Sequence, residues 1–223
     1  MKKMKSFCII GLGRFGQTLA LTLSNKGHQV MVIDQNEEAV SLLSDAVTNA
    51  VIGNCTSETV LRDSGVPDYD CAVICISKNL DDSILTTIQL KDLGVKEVVV
   101  RAANDMHRRI LEKVGADRIV MPERDMGEKL ANMLSKSTDV MEYIEFSKDY
   151  SIIETRVPDS WIGKSLAELL IRSKYGVTVL AVKKGGSGAM NISPDVKQPF
   201  EENDSVSLMG SNAQLEKIYA LFR

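Results

Sequence analysis

The sequence predicts an α/β protein, a doubly wound parallel sheet followed by a smaller C-terminal α+β domain. Three observations carry this. Short apolar runs alternate with amphipathic segments six times within the first 120 or so residues. The runs are apolar at consecutive positions, as strands covered on both faces must be. And Gly11-Leu12-Gly13-Arg14-Phe15-Gly16 falls directly between the first run and the first amphipathic segment, where a sheet of this Rossmann-like kind turns to receive an anion.

The spacing predicts strands over 6–11, 29–34, 49–54, 70–76, 97–102 and 118–122, with helices over 14–26, 37–45, 57–64, 80–93 and 106–114. Gly27, Gly65, Gly94 and Gly115 each stand where a helix must end, the usual place for a left-handed residue. From Glu123 to Ser137, Met126, Leu130, Met133 and Leu134 recur at helical spacing. That helix either covers the sheet edge or carries an apolar stripe to a partner subunit. After Thr138 the rhythm changes. Strands over 141–147 and 151–157 pair about Lys148-Asp149, then come a short helix over 166–172 and a strand over 177–183. A turn at Gly185-Gly186-Ser187-Gly188, a strand over 205–209 and a terminal helix over 213–222 complete the chain. The division expected is a nucleotide-binding domain over 1–123, a crossover helix over 124–138 and a C-terminal domain over 139–223.

Composition narrows the function. A net charge of −3 disfavours broad binding to nucleic acid or to a membrane surface. No apolar run approaches the length of a membrane span. The basic start Met1-Lys2-Lys3-Met4-Lys5 leads into an apolar run too short for a signal peptide, so a cytosolic location is expected. Cys8, Cys71 and Cys75 lie in strand-like runs and Cys55 near a strand end. None has zinc-ligand spacing, which points to reduced, buried thiols.

The glycine turn carries the chemistry. Gly11 permits a tight turn, Gly13 lets the backbone approach a diphosphate, and Gly16 lets the helix pack close to the sheet. Bare N–H groups and the helix dipole then favour an anion. Asp34, ending the second strand, can accept hydrogen bonds from a ribose diol. Ligands in such sheets lie at the carboxyl ends of strands. Reading those ends adds Gln35, Asn36 and Glu37, then Asn54, Cys55 and Thr56, then Ser77, Lys78 and Asn79. Arg101, Ala102 and Ala103 follow, and finally Glu123. Each has a plain alternative. Arg14 pairs with a terminal phosphate, or with an acid across an interface, or is solvated. Asn36 and Glu37 touch an adenosine, or Glu37 only favours the next helix start. Thr56 bounds a base pocket, or Thr56 or Ser57 caps a helix. Lys78 neutralises a phosphate or is solvated. Glu123 holds a divalent cation against phosphates or is a helix-start acid. His28 reads as structural, and His107 with Arg108 and Arg109 as a solvated face or a site.

A hydride-transfer enzyme needs a proton donor or acceptor facing the nicotinamide. The C-terminal module has no histidine and no Tyr-x-x-x-Lys pair, and Ser173-Lys174-Tyr175 lies at a helix end beside a glycine. The P-loop pattern is absent as well. A nucleotide pocket without catalytic equipment reads as a sensor. The rival readings are an NAD(P)-dependent oxidoreductase of unknown substrate and a nucleotide-responsive scaffold.

Taken together, Gly11–Gly16, Asp34, Gly53-Asn54-Cys55-Thr56, Gly115-Ala116-Asp117-Arg118 and Pro122-Glu123 resemble the RCK domain, also called KTN or TrkA-N. Trp161-x-Gly163-Lys164-Ser165-Leu166-x-Glu168-Leu169, Arg172, Tyr175-Gly176 and Val179–Val182 resemble its C-terminal partner, TrkA-C. The likeness covers essentially the whole chain and is greatest to the Ktr-type regulatory subunits of bacterial potassium transporters. It implies a cytoplasmic gating subunit, not an enzyme, peripheral on the inner face of the cell membrane. Its dimers would build a ring, an octamer in this subtype, against a membrane-embedded potassium-translocating subunit. It implies ATP or ADP, or NAD(H), in the cleft. Gly11, Gly13, Arg14, Phe15 and Gly16 would then cradle phosphates, and Asp34 and Asn36 the ribose. Asn54, Cys55 and Thr56 would border the adenine, Ser77, Lys78, Asn79 and Arg101 would line the cleft, and Glu123 would stand near the terminal phosphate with a divalent cation. It further implies a cyclic di-AMP site around Leu170, Arg172, Val177, Val179 and Pro194. Many relatives carry Gly-Asp-Ala-Thr where this chain has Gly53-Asn54-Cys55-Thr56, which makes the pocket here less negative.

Overall fold

The computed structural model describes residues 4–76, 79–134, 140–185 and 188–222. The chain divides into two compact units, Met1–Glu123 and Arg124–Arg223.

The first unit alternates strand and helix: β1 (Ser6–Ile10), α1 (Arg14–Asn25), β2 (Gln29–Asp34), α2 (Glu37–Ser41), β3 (Asn49–Ile52), α3 (Glu58–Asp63), β4 (Cys71–Ile74), α4 (Leu80–Asp92), β5 (Val98–Arg101), α5 (Asp105–Lys113) and β6 (Arg118–Val120). All strand pairings are parallel, in the order β3-β2-β1-β4-β5-β6. The chain therefore winds outward from β1 in one direction, then crosses to β4 and winds the other way. The crevice opens at that reversal, beyond the carboxyl ends of β1 and β4.

Both faces of the sheet are buried, which explains the unbroken apolar runs. Cys8, Ile10, Met31, Ile33, Ile74 and Val100 pack with Leu61, Leu90 and Leu111 from α3, α4 and α5. Ile9, Val30, Val32 and Val73 pack with Ala20 of α1 and Val40 of α2. Gly27, Gly65, Gly94 and Gly115 all take left-handed φ between 76° and 95°, as their positions after helices required.

α6 (Pro122–Leu134) follows; the last part of the helix expected to Ser137 lies outside the described residues. Its Met126, Leu130 and Leu134 are exposed. The second unit contains β7 (Val140–Glu145), β8 (Tyr150–Arg156), α7 (Leu166–Leu169), α8 (Ile171–Tyr175), β9 (Thr178–Lys183), β10 (Met190–Asn191), β11 (Ser205–Ser211) and α9 (Asn212–Tyr219). Its strands form an antiparallel sheet ordered β10-β9-β11-β8-β7. Trp161 anchors the core, packed against Phe200 and Tyr175 and beside Ile153, Leu208 and Leu215.

Two expectations are corrected here. The single helix over 166–172 is two short helices, because Leu170 takes a left-handed φ of 47° and breaks the hydrogen-bond ladder between them. And β10, too short to show a period, adds a strand at the edge that the pattern did not reveal. The turn over 185–188 falls partly outside the described residues.

Candidate nucleotide-binding site

β1 ends in the glycine turn. Gly11 has φ +94°, and its N–H donates to the Ile33 carbonyl at 2.9 Å. A Cβ there would lie 3.0 Å from the Ile76 nitrogen. Gly16 sits one turn into α1, where a Cβ would fall 2.0 Å from the Gly11 carbonyl oxygen. This is the close helix–strand approach that only glycine allows. Gly13 differs: it occupies the N-cap position of α1, and a Cβ there would meet nothing within 4 Å. No side chain caps α1, and no acid stands in its first turn. Its first backbone donors and the positive end of its dipole are left for an external anion. By contrast, Asn36, Ser57, Asn79 and Asn104 cap α2, α3, α4 and α5 with side-chain oxygens.

Asp34, at the carboxyl end of β2, is clamped by backbone donors. One carboxylate oxygen accepts the Leu12 N–H at 2.6 Å and the other the Asn36 N–H at 2.8 Å. Each oxygen keeps lone-pair capacity for a hydroxyl. The cleft beyond encloses about 350 Å³. It is lined from β1 by Gly11, Leu12 and Gly13, from β2 by Ile33, Asp34, Gln35 and Asn36 with Ala39, from β3 by Gly53, Asn54 and Cys55, and from β4 by Cys75, Ile76, Asn79 and Asp82. That lining offers backbone donors, amides and two carboxylates, and among the described residues no lysine, arginine or histidine.

Several expected residues keep structural duties as well. Asn36 Oδ1 accepts the Ala39 N–H at 3.2 Å, and Glu37 is exposed in the first turn of α2. Asn54 Oδ1 accepts both the N–H and the hydroxyl of Thr56, at 3.0 and 2.9 Å, and Ser57 is the residue that caps α3. The Cys55 thiol is pushed up first by burial, with the charges of Asp82 and Asp34 adding to it, while the Thr86 hydroxyl opposes the rise. Burial pushes Cys75 up to about 12. Both thiols are therefore protonated at neutral pH. Arg14 is exposed at the start of α1, Phe15 packs against the sheet core and Thr56 stands outside the lining. Ser77 and Lys78 lie outside the described residues.

Arg101, Ala102, Ala103 and Glu123 are not part of this lining, although the charge of Arg101 reaches the Cys75 thiol in the cleft wall. Ala102 is core, and the Ala103 N–H donates to His107 Nδ1 at 3.2 Å. Arg101 forms a two-point ion pair with Glu123: its Nε reaches Oε2 at 3.3 Å, and its terminal nitrogen contacts Oε1. The hydrogen bond from Arg101 holds the Glu123 carboxyl below the usual range. The Glu123 carboxylate is already engaged, and no group of three or more candidate ligands converges among the described residues. His107 does not belong to a solvated face: it is fully buried and accepts the Ala103 N–H, because α5 turns that edge inward. Asp82, missed by the motif reading, was findable. A helix that starts beyond the carboxyl end of β4 must present its first turn to the crevice.

The second unit has its own concavity, of about 400 Å³. Leu170, Arg172, Val179 and Pro194 line it, with Leu166, Ile171 and Val196. Val177 does not, being fully buried in the core beside Trp161.

The TrkA-N domain family matches residues 7–122 and the TrkA-C domain family residues 152–223. The chain belongs to the RCK family of TrkA-N/TrkA-C proteins. It is 39% identical over 215 residues to the Ktr system potassium uptake protein A of Bacillus subtilis (strain 168), covering 96% of each chain. It is 36% identical over 212 residues to the Ktr system potassium uptake protein A of Vibrio alginolyticus, covering 95% of this chain and 94% of that one. Among solved structures, the GsuK channel bound to NAD shares the fold with a TM-score of 0.56 at 22% identity, over 100% of this chain and 39% of that chain. GsuK bound to ADP matches with a TM-score of 0.51 at 26% identity, over 59% of this chain and 34% of that one.

Proposed function

We propose that this RCK protein is the nucleotide-sensing regulatory subunit of a potassium uptake system. It acts beside a membrane-embedded potassium-translocating subunit on the cytoplasmic face. The observation that carries this is the end-to-end similarity to Ktr system potassium uptake protein A. The cleft supports it: an uncapped helix start, an open Gly13 and a clamped Asp34 suit the phosphates and ribose of ATP or ADP, or of NAD(H). In this reading the nucleotide is held as a signal and not consumed. A ligand shifts gating only by binding two states unequally. The Arg101–Glu123 pair and the exposed Arg14 are the groups we assign to reading the number of phosphates.

The exposed Met126, Leu130 and Leu134 of α6 supply an apolar stripe for a second copy, the start of a ring that we take to be an octamer. A divalent cation at Glu123 would need the nucleotide's own phosphates to complete its ligands. The concavity with Arg172 and apolar walls is the place we assign to a second ligand of the cyclic di-AMP kind. One experiment tests the core claim: potassium uptake by cells lacking their own systems, given the membrane subunit with or without this chain. It is paired with calorimetry of ATP, ADP and NADH on the purified protein. Uptake indifferent to the chain, or steady turnover of ATP or NADH, would end the proposal in favour of a scaffold or an oxidoreductase.

A further inference from the structure

One carboxylate in the cleft has no hydrogen bond or ion pair among the described residues. Asp82 lies half-buried in the first turn of α4 and lines the cleft together with Asn54 and Cys55. Its charge reaches the Cys55 thiol. α4 is tied to the β3 loop by the Thr86 hydroxyl, which donates to the Cys55 carbonyl at 3.2 Å, and by Gln89 Nε2, which donates to the Thr56 carbonyl at 2.9 Å. Asp82 is therefore held beside that loop. The adjacent acid, Asp81, gives the helix start the same electrostatic benefit from outside the cleft lining.

Of the other side-chain acceptors at this end, the Asn54 oxygen is saturated and the Asn79 oxygen is half used. Asn54 Oδ1 takes the N–H and hydroxyl of Thr56, and Asn79 Oδ1 takes the Asp81 N–H at 3.2 Å. Their amide NH2 groups remain as donors. Among the described residues no hydrogen bond or ion pair reaches the Asp82 carboxylate. The cleft thus presents one uncommitted anionic acceptor flanked by amide donors, with Ile76 and Cys55 as apolar walls. With phosphates on the glycine turn and ribose on Asp34, this is the end left for the base.

We propose that Asp82 sets the choice of base: its carboxylate accepts a hydrogen bond from the exocyclic amine of adenine, and amide donors meet the ring nitrogens. The inference rests on the nucleotide reading above. Hypoxanthine carries a carbonyl oxygen where adenine carries the amine. Two acceptors would then face each other, and the carboxylate would be left unpaired.

Calorimetry of the full chain with ADP and with inosine diphosphate tests this. The two ligands share phosphates and ribose, so any general effect of removing a negative charge cancels in their ratio. The wild-type protein is expected to prefer ADP by about tenfold or more, the scale of a hydrogen bond to a charged group. Asp82→Ala and Asp82→Asn are each expected to shrink that preference to about threefold or less, with melting temperatures near wild type. Asp81→Asn should leave the ratio as it is. An unchanged ratio in both Asp82 variants, or an equal shift in Asp81→Asn, overturns the role of Asp82 while ADP binding still supports the nucleotide reading. Failure of the wild-type protein to bind either ligand removes both.

Discussion

The two units use the same polar chemistry to opposite ends. In the C-terminal unit it is closed on itself. Ser165 with Glu168 and Ser211 with Gln214 form reciprocal caps on α7 and α9. Asp204, 1% exposed, accepts from Lys184 Nζ at 2.7 Å, the Glu201 N–H at 2.8 Å and the Gly185 N–H at 3.1 Å. In the N-terminal unit the corresponding groups are held but left open. α1 has no side-chain cap, Asp34 is positioned by two N–H groups with capacity to spare, and Asp82 stands without a partner among the described residues. Satisfied polar groups fix a fold. Positioned groups with capacity to spare mark where a ligand can be received.

Paired substitutions can break this contrast. The largest effect is expected at Gly16. Its Cβ would strike the Gly11 carbonyl, which is backbone and cannot turn aside. Gly16→Ala should cost about 1–3 kcal/mol of stability or more in chemical unfolding, and nucleotide binding with it. In the second unit, Asp204→Ala removes the acceptor of two N–H groups and the strongest partner of the Lys184 ammonium, which keeps only the Pro199 carbonyl and the more distant Glu201. Loss of about 3 kcal/mol is expected with nucleotide affinity unchanged, a combination that calorimetry and unfolding together would reveal.

That site also predicts a pH response. Burial pushes the Asp204 carboxyl up, but the hydrogen bonds from Lys184, Glu201 and Gly185 outweigh it and hold the group below its ordinary 3.8. A carboxyl depressed in the folded state contributes stability in full above the unfolded value. The contribution is lost as pH falls from about 3.8 through the folded value. Subtracting the Asp204→Ala unfolding curve from the wild type should isolate this component. A difference that stays constant across that window would refute it.

Gly13→Ala makes a sharper comparison with Gly16→Ala. The new methyl meets no protein atom, so the melting temperature should move by only a few degrees, about 1 kcal/mol or less. Nucleotide affinity should fall about tenfold or more, because the methyl occupies the path of the phosphate. If binding persists at full strength, the anion does not lie on this turn. The smallest effect is expected at exposed Arg14. Arg14→Ala should weaken ATP a few-fold more than ADP, about 1 kcal/mol at most. Equal losses for both nucleotides would reject its role in counting phosphates.

Much of this was legible in the residue order. The glycine turn, the acid at the end of β2 and the alternation of apolar runs with amphipathic segments specify a local geometry whose partners lie near in sequence. The parallel sheet, its winding and the outline of the cleft follow from them. Where local pattern was weak, the reading failed. Leu170 gives no sign of a left-handed backbone, since its conformation is imposed by the packing of α7 and α8 around Trp161. His107 looks solvated beside two arginines, yet α5 buries it.

The sequence by itself determined most of the residues that line the cleft, because strand ends and helix starts are set by short-range periodicity and turn chemistry. Only the tertiary structure decided which of them are paired with one another and which share the cleft wall. Arg101 and Glu123 lie 22 residues apart and neutralise each other, whereas Asp34 and Asp82, 48 residues apart, both line one cleft. Hydrogen bonds and ion pairs are made between groups that folding brings together, and their saturation has no signature in the order of the chain.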